Sequence, residues 1–307
     1  MGTTAVAAAR RPVARRRPPW QGSVTGLLFV APAALVNGLF FLVPLVFALW
    51  ISLHTWPVLG ERPFVGLKNY LDLIEDGTFW GALWFTIRYT LIVTPSIFLP
   101  ALGLALLVNE RLRGVSVFRT AYFVPYVIAF ATTSLMWKWI YNEVFGLLNY
   151  VLLTLGLIDQ PVSWLGVSST ALISIVVAVA WKTVGLNMIL LLAGIQAIPG
   201  DLYEAAAIDG AGAWQRFLRI TLPLLRPTMA MALTVSVIGS FLAFDQFYIM
   251  TGGGPGYDTT PIVMWIYRTS FQFFQMGSGA AMSFVLLAVL ALLSYTQTRV
   301  LRNVTEY

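Results

Sequence analysis

The segment Asp201–Pro223, DLYEAAAIDGAGAWQRFLRITLP, is a strongly polar stretch that lies between two long apolar segments of this chain. A charged side chain at the centre of a bilayer costs about 2.5 to 3.5 kcal/mol. The segment is therefore expected outside the membrane, whereas the apolar segments before and after it are expected to cross it. This arrangement predicts an all-α polytopic membrane protein.

The same segment predicts a helix-turn-helix. Asp201 is a favourable N-cap residue, and Glu204, three positions later, completes the spacing of a capping box. Gly210 and Gly212 follow this first helix. Because glycine adopts positive φ without steric cost, they predict a tight turn before a second helix at 213–221.

The composition supports a membrane protein. Hydrophobic residues make up 58% of the 307 residues and charged residues only 10%, whereas a soluble domain has about 25% charged residues. A hydrocarbon core about 30 Å thick takes roughly 20 helical residues to cross. Six spans are predicted, at 25–51, 83–108, 117–141, 169–193, 228–250 and 278–298. They form one six-helix transmembrane domain at 25–307, which includes the helix-turn-helix as a loop at 197–223.

The basic residues indicate the orientation. With the N-terminus inside, thirteen of the nineteen Lys and Arg residues lie on the cytoplasmic side and three on the opposite side. Since cytoplasmic loops are enriched in Lys and Arg, both termini and the 197–223 loop are expected in the cytoplasm. Residues 1–24, rich in Ala, Arg and Pro, are expected to form a disordered basic cytoplasmic tail. A signal peptide is the alternative, but the following apolar segment is longer than the usual 7–15 residues.

Composition also excludes several kinds of site. The chain has no cysteine, which rules out disulfides and cysteine-ligated metals. Its single histidine, His54, has no carboxylates at ligand spacing, so no metal site is predicted. None of the three lysines, Lys68, Lys138 and Lys182, follows a glycine-rich Walker sequence, so the chain is not expected to bind ATP itself.

The 197–223 loop also carries a family motif. Glu204-Ala205-Ala206, then Gly210, then Ile220-Thr221-Leu222-Pro223 resembles the EAA loop of permeases of binding-protein-dependent ABC importers. The resemblance implies that this segment, called here the coupling loop, docks into a groove of an ATPase subunit. The implied coupling residues are Glu204, Ala205, Ala206, Asp209, Gly210, Ile220, Leu222 and Pro223. The alternative is that Glu204 only caps its own helix within an amphipathic interfacial segment.

Three further stretches resemble carbohydrate-type members of that family, such as the maltose and glycerol-phosphate permeases. They are Phe64–Tyr70, Gly146–Asn149 and the TGGGP sequence Thr251–Pro255. The resemblance implies import of a sugar or similar small polar solute across a bacterial cytoplasmic (inner) membrane. A polyol or a glycerol phosphate is the alternative, since Lys182 would suit an anion. The outer segment at 55–81 is either a solvated loop with a short helix or a surface for a binding protein.

Polar residues inside spans four and five are the candidates for the substrate pathway. A charged residue near the centre of a span normally faces protein or a water-filled cavity. In span four the candidates are Lys182, Thr183, Leu186 and Asn187, which i, i+3 and i+4 relations place on one helical face. In span five they are Ser240, Asp245 and Gln246. The alternative is that Lys182 and Asp245 form a charge pair that holds two helices together.

The resemblance implies several partners. They are a second homologous permease in a heterodimer, two ATPase subunits that bind ATP and Mg, an extracytoplasmic solute-binding protein, and membrane lipid; no nucleic acid is expected. The chain itself is then a non-catalytic subunit. A secondary transporter is a weaker alternative because Asp245 is the only acidic residue inside a predicted span. An intramembrane enzyme is weaker still, because no catalytic cluster lies within the spans.

Overall fold

The computed structural model describes residues 19–109 and 114–302. Apolar segments find no water to hydrogen-bond in a bilayer, so their backbone groups pair within helices. The α-helices are α1 Pro19–Asn37, α2 Val43–Ser52, α3 Lys68–Glu75, α4 Gly77–Val108, α5 Val115–Val127, α6 Phe130–Ile140, α7 Leu147–Thr154, α8 Ser168–Gln196, α9 Gly200–Ile208, α10 Ala213–Arg216, α11 Leu222–Phe241, α12 Asp245–Met250, α13 Ile262–Tyr267 and α14 Met276–Arg302. Three π-helical turns join α1 to α2, join α10 to α11 and extend α13.

The chain divides into two units after Trp50. In the first unit, α1 continues through a π turn at Gly38–Leu42 into α2. Because α1 begins at Pro19, residues 19–24 of the predicted tail lie within a helix. Residues 1–18, which carry the rest of the predicted tail, lie outside the described residues.

The predicted all-α membrane fold is confirmed. Within the described residues, five helices are long and apolar enough to cross a membrane, and a bent pair of helices makes a sixth span if the pair counts as one. The five are Gly26–Ser52, Gly77–Val108, Ser168–Gln196, Ala213–Phe241 and Met276–Gln297, and the bent pair is Val115–Val127 with Phe130–Ile140. Each predicted span overlaps one of these segments.

Two predicted spans are wrong in detail. The third is not continuous, because α5 and α6 meet at an angle of 97°. Ile128 and Ala129 between them have extended backbone angles, with ψ of 137° and 145°. The fifth span ends at Phe241, and a turn separates it from the short helix α12. Both predicted spans are apolar overall, so their hydrophobic pattern does not reveal either break.

In the second unit, α4 and α8 form a central pair, and α11 packs against both of them. Buried side chains along this pair include Tyr89 and Val93 of α4 and Ile175 and Met188 of α8. α5 packs against α8 at Gly185, where a Cβ would overlap the carbonyl oxygen of Tyr122. Small residues permit such close helix contacts in membrane proteins, where packing rather than hydrophobicity drives association.

Hydrogen bonds order the segments outside the long helices. Asn69 in α3 donates to the carbonyl oxygens of Ser52 at 2.7 Å and His54 at 3.0 Å. In the TGGGP segment, Gly252 and Gly253 have left-handed φ of 58° and 81°. Arg268 then donates from its guanidinium to the Gly252 carbonyl at 2.6 Å. These contacts fix both segments to the ends of the helices that flank them.

Candidate functional site

The coupling loop forms the helix-turn-helix that its sequence predicts, with shifted boundaries. α9 begins at Gly200, and its N-cap is Pro199, so the predicted capping by Asp201 is wrong. Asp201 instead lies in the first turn, where its carboxylate is favoured by the positive end of the helix dipole. Gly210 has a φ of 79°, which confirms the predicted tight turn. The second helix is only partly α-helical, since a π turn at Phe217–Thr221 follows α10.

The predicted coupling residues occupy an exposed surface. Glu204, Ala205, Asp209 and Gly210 are exposed, Ala206, Ile220, Leu222 and Pro223 are half-buried, and α9 has no buried residue. Two large apolar side chains also stand out from the loop, Ile208 at 87% exposure and Trp214 at 69%. Both side chains lie in a segment that is expected outside the hydrocarbon. Neither Ile208 nor Trp214 belonged to the predicted site, because the family motif does not include them.

The coupling loop is joined to both of the spans beside it. α8 ends at Gln196, close before α9, and the π turn at Phe217–Thr221 continues directly into α11. The hydroxyl of Tyr203 on α9 lies 2.9 Å from Oγ1 of Thr221 in that π turn. A displacement of α9 would therefore act on the start of α11 as well as on the end of α8.

A cavity of about 160 Å³, called here the central cavity, lies half-way along α8. It is bordered by α4, α8, α11 and α12 and by the region of the break between α5 and α6. Its lining residues are Tyr89, Val93, Ile97, Tyr126, Phe130, Val179, Thr183, Leu186, Asn187, Val235, Ser236, Gly239, Ser240 and Gln246. Five of the predicted pathway residues, Thr183, Leu186, Asn187, Ser240 and Gln246, are thus brought together around one space.

Hydrogen bonds organise the polar wall of the central cavity. Oγ of Ser236 on α11 donates to Oδ1 of Asn187 on α8 at 3.1 Å. Nε2 of Gln246 on α12 lies 3.4 Å from the hydroxyl of Tyr89 on α4. None of the described residues that line this cavity carries a charge. The wall therefore offers hydroxyl and amide groups, which suit a neutral solute with hydroxyl groups.

Lys182 lies outside the wall of the central cavity, contrary to the prediction. Its side chain is only 2% exposed, and its ammonium donates to the carbonyl oxygens of Pro125 at 3.3 Å, Tyr126 at 3.0 Å and Ile128. Successive residues of an α-helix point about 100° apart. Thr183 accordingly faces the cavity while Lys182 faces the end of α5.

The predicted alternative, a charge pair between Lys182 and Asp245, is also absent from the described part of the chain. The hydrogen bonds of the Lys182 ammonium go to backbone carbonyls. Asp245 is half-buried at the first residue of α12, where the helix dipole favours its negative charge. Asp245 is also absent from the residues that line the central cavity, whereas its neighbour Gln246 lines it.

Several lining residues were missed by sequence reasoning. Ser236 lies one turn before Ser240, so the i, i+4 spacing would have placed both on one face of α11. Tyr89 in α4 and Tyr126 and Phe130 at the break are aromatic residues in apolar segments. Nothing in their sequence context distinguishes them from residues that face lipid or the protein core.

A second, larger opening of about 680 Å³ lies between the start of α4, the start of α8 and the segment that follows TGGGP. Asp258 accepts a hydrogen bond from Oγ of Ser168 at 2.8 Å across one side of it. Trp84, Arg88 and Tyr257 also line it. This opening contains none of the predicted pathway residues.

Comparisons with known proteins identify the family. A family model described as "Binding-protein-dependent transport system inner membrane component" matches residues 77–305. The chain is 38% identical over 273 residues to the trehalose/maltose transport system permease protein MalF of Thermococcus litoralis, covering 88% of this chain and 90% of that protein. It is 34% identical over 295 residues to the sn-glycerol-3-phosphate transport system permease protein UgpA of Salmonella choleraesuis, covering 95% and 98%.

The fold is also similar to that of solved structures. One is a chain in the crystal structure of a bacterial ABC transporter involved in the import of the acidic polysaccharide alginate, with a TM-score of 0.81, 22% identity, and coverage of 94% of this chain and 99% of that chain. This likeness supports the arrangement of the helices. The chain therefore belongs to the family of inner-membrane components of binding-protein-dependent transport systems, as the motif in its coupling loop predicted.

Proposed function

We propose that this chain is the permease subunit of an ATP-driven importer that carries a sugar or a similar neutral, hydroxylated solute through the central cavity. One observation carries the proposal: the two helices that flank the coupling loop, α8 and α11, both line this cavity. α8 extends about 14 Å from Asn187 to its end at Gln196. A movement of the loop is therefore transmitted along two helices to the cavity wall.

The energy for transport comes from ATPase subunits on separate polypeptides, which hold ATP and Mg. Two features support this assignment: the EAA-type motif and the exposed apolar side chains of Ile208 and Trp214 beside it. ATP binding closes the ATPase pair, and that closure favours one of two packed states of the membrane helices. Such a change is a population shift, driven by the difference in contacts that the partner makes with the two states.

The remaining partners follow from the family and from the shape of the cavity wall. In this chain the central cavity is bordered by α4, α8, α11, α12 and the break between α5 and α6, and a second, homologous permease completes the solute path in a heterodimer. A solute-binding protein delivers the solute on the outer side, as the family description indicates. The chain lies in the bacterial inner membrane with both termini and the coupling loop in the cytoplasm, which the distribution of Lys and Arg supports.

A neutral solute is favoured over a glycerol phosphate. Relatives named for trehalose/maltose and for sn-glycerol 3-phosphate are both similar to this chain. The central cavity, however, is lined by uncharged residues, and the ammonium of Lys182 is occupied by backbone carbonyls. An anion in the central cavity would meet no charged side chain among the described residues that line it.

The test uses the whole transporter, reconstituted in liposomes with its ATPase, second permease and binding protein. Glu204→Lys reverses the charge on the exposed face of α9 and is expected to abolish solute-stimulated ATP hydrolysis and uptake while the complex still assembles. Glu143→Lys, the same exchange at an exposed residue far from the coupling loop, is the control and is expected to be near normal. Normal stimulation in Glu204→Lys would refute the assignment of the coupling loop. Uptake of sn-glycerol 3-phosphate in preference to a neutral disaccharide would refute the assignment of the solute.

A further inference from the structure

The ammonium of Lys182 lies at the break inside the third predicted span, between α5 and α6. α5 ends at Val127, α6 begins at Phe130, and the two axes meet at 97°. The three carbonyls that accept from Lys182 belong to Pro125 and Tyr126, in the last turn of α5, and to Ile128, just beyond it. Lys182 itself is fixed on α8, the central helix of the second unit.

A break in this position leaves backbone groups without partners. The last four carbonyls of an α-helix have no intrahelical donor, and hydrocarbon offers no water to replace it. An ammonium has three N–H donors, and here three carbonyl oxygens accept from it. The positive charge also suits the negative end of the α5 dipole. The same contacts occupy all three donors, so none is left for a solute.

Two aromatic rings connect this arrangement to the central cavity. Nζ of Lys182 lies 4.7 Å from the ring centroid of Phe130 and 5.7 Å from that of Tyr126, distances at which a cation is attracted to the ring face. Both rings line the central cavity. Lys182 thus contacts Tyr126 and Phe130, and the same two residues border the space proposed for the solute.

We propose that Lys182 is a positioning residue: by joining α8 to the carbonyls at the end of α5, it holds the break between α5 and α6 and sets Tyr126 and Phe130 in the wall of the central cavity. The selection of a solute by this wall rests on the proposed function. The role of Lys182 in holding the break does not depend on that function. The two parts are therefore tested by different measurements.

The first measurement is the geometry of the break in the assembled transporter. This chain has no cysteine, so a spin label can be attached at each of two introduced cysteines, Phe118→Cys on α5 and Leu135→Cys on α6. The two side chains are 61% and 60% exposed. The partner subunits are used in cysteine-free form. In the parent, a single narrow distance distribution is expected. Lys182→Met, an unbranched side chain one atom shorter that has no donor, is expected to broaden or shift this distribution. Lys182→Arg keeps the donors and is expected to preserve it.

Lys138→Met on α6 is the matched control, because it is the same exchange at an exposed lysine of the neighbouring helix. It is expected to leave the distribution unchanged. If Lys182→Met leaves the distribution as narrow as the control does, the proposal is overturned. If the Lys182→Met complex does not assemble, the Lys182→Arg variant decides the question. Parental distances in Lys182→Arg support the role of the donors. Disturbed distances in Lys182→Arg, or assembly as poor as that of Lys182→Met, contradict it.

The second measurement separates positioning from the proposed function. For uptake of a neutral disaccharide, displacement of Tyr126 and Phe130 is expected to raise KM about tenfold or more in Lys182→Met, with a smaller change in the maximal rate. Lys182→Arg is expected to restore most of the parental KM. A disturbed distance distribution with an unchanged KM would leave the positioning role intact and refute the central cavity as the solute path.

Discussion

The coupling loop and the central cavity obtain their geometry in different ways. The coupling loop depends on local features, the left-handed turn at Gly210 and helix α9, which buries no side chain. The central cavity depends on contacts between helices far apart in the chain, such as Oγ of Ser240 at 3.0 Å from Oγ1 of Thr90, 150 residues away. We therefore expect a substitution in the loop to change coupling without unfolding the protein, and a substitution behind the cavity wall to change stability and affinity together.

The largest effect is expected where α5 contacts α8. Gly185→Ala places a methyl group against the carbonyl of Tyr122, so the helices must separate, at a cost of about 1–3 kcal/mol or more. Gly103→Ala on α4 is the matched control, since a Cβ there meets nothing within 4 Å. Thermal unfolding of the detergent-purified complex should show a clear loss of stability for the first variant and none for the second. Equal melting temperatures for the two variants would contradict the expectation that packing behind the cavity wall determines stability.

The next effect is expected in the coupling loop. Gly210→Ala forces an alanine into φ near 79°, a conformation that costs non-glycine residues about 1–3 kcal/mol, although no neighbouring atom obstructs the added Cβ. The turn is expected to rearrange, with loss of solute-stimulated ATP hydrolysis and an unchanged melting temperature for the membrane helices. Gly212→Ala, where φ is −67°, should retain stimulation. Loss of stimulation in both variants would argue against backbone conformation as the cause.

A smaller effect is expected inside the cavity wall. Ser236→Ala removes the donor to Oδ1 of Asn187, and the net worth of one such hydrogen bond is about 1 kcal/mol, or roughly fivefold in an equilibrium. We expect KM for uptake to rise by about that factor while basal ATP hydrolysis stays normal. Ser283→Ala on α14, whose hydroxyl donates only within its own helix, is the control. If basal ATP hydrolysis changes and KM does not, Ser236 contributes to coupling rather than to the affinity for the solute.

The smallest effect is expected where the two regions are joined. Tyr203→Phe removes the hydroxyl that lies 2.9 Å from Oγ1 of Thr221 and keeps the ring. Because this pair is only partly buried, we expect a two- to threefold loss of coupling, on the order of 0.5 kcal/mol. The measurement is the ratio of uptake to ATP hydrolysed, since that ratio is sensitive to slippage between loop and helices. A ratio equal to that of the parent would show that the hydroxyl contact transmits nothing.

The sequence predicts the loop better than the cavity, and the reason is physical. Glycine at position 210 and the acidic and apolar residues around it specify their own conformation, so the turn was correctly predicted from local chemistry. The starting residue of α9 was not, because Pro199 and Gly200 shifted the helix start ahead of the favourable cap at Asp201.

The cavity was only partly predictable because its wall depends on packing between helices. Periodicity correctly grouped Thr183, Leu186 and Asn187, which share a face of α8. It also included Lys182, whose true direction depends on where the carbonyls of α5 lie. The 97° break that presents those carbonyls is not visible in an apolar sequence, so the role of Lys182 follows only from three-dimensional structure.

The proposed function requires that the coupling loop controls the central cavity, and the accessibility of a single cysteine in the cavity wall measures this control. Val235 lines the cavity and is 43% exposed, and this chain has no cysteine of its own, so Val235→Cys gives a thiol reagent a single site in a complex assembled with cysteine-free partner subunits. We predict that the labelling rate changes at least severalfold when ATP is added, and that Glu204→Lys removes this change while leaving the rate without ATP as it was. An ATP-dependent change of equal size in the Glu204→Lys background would contradict the account.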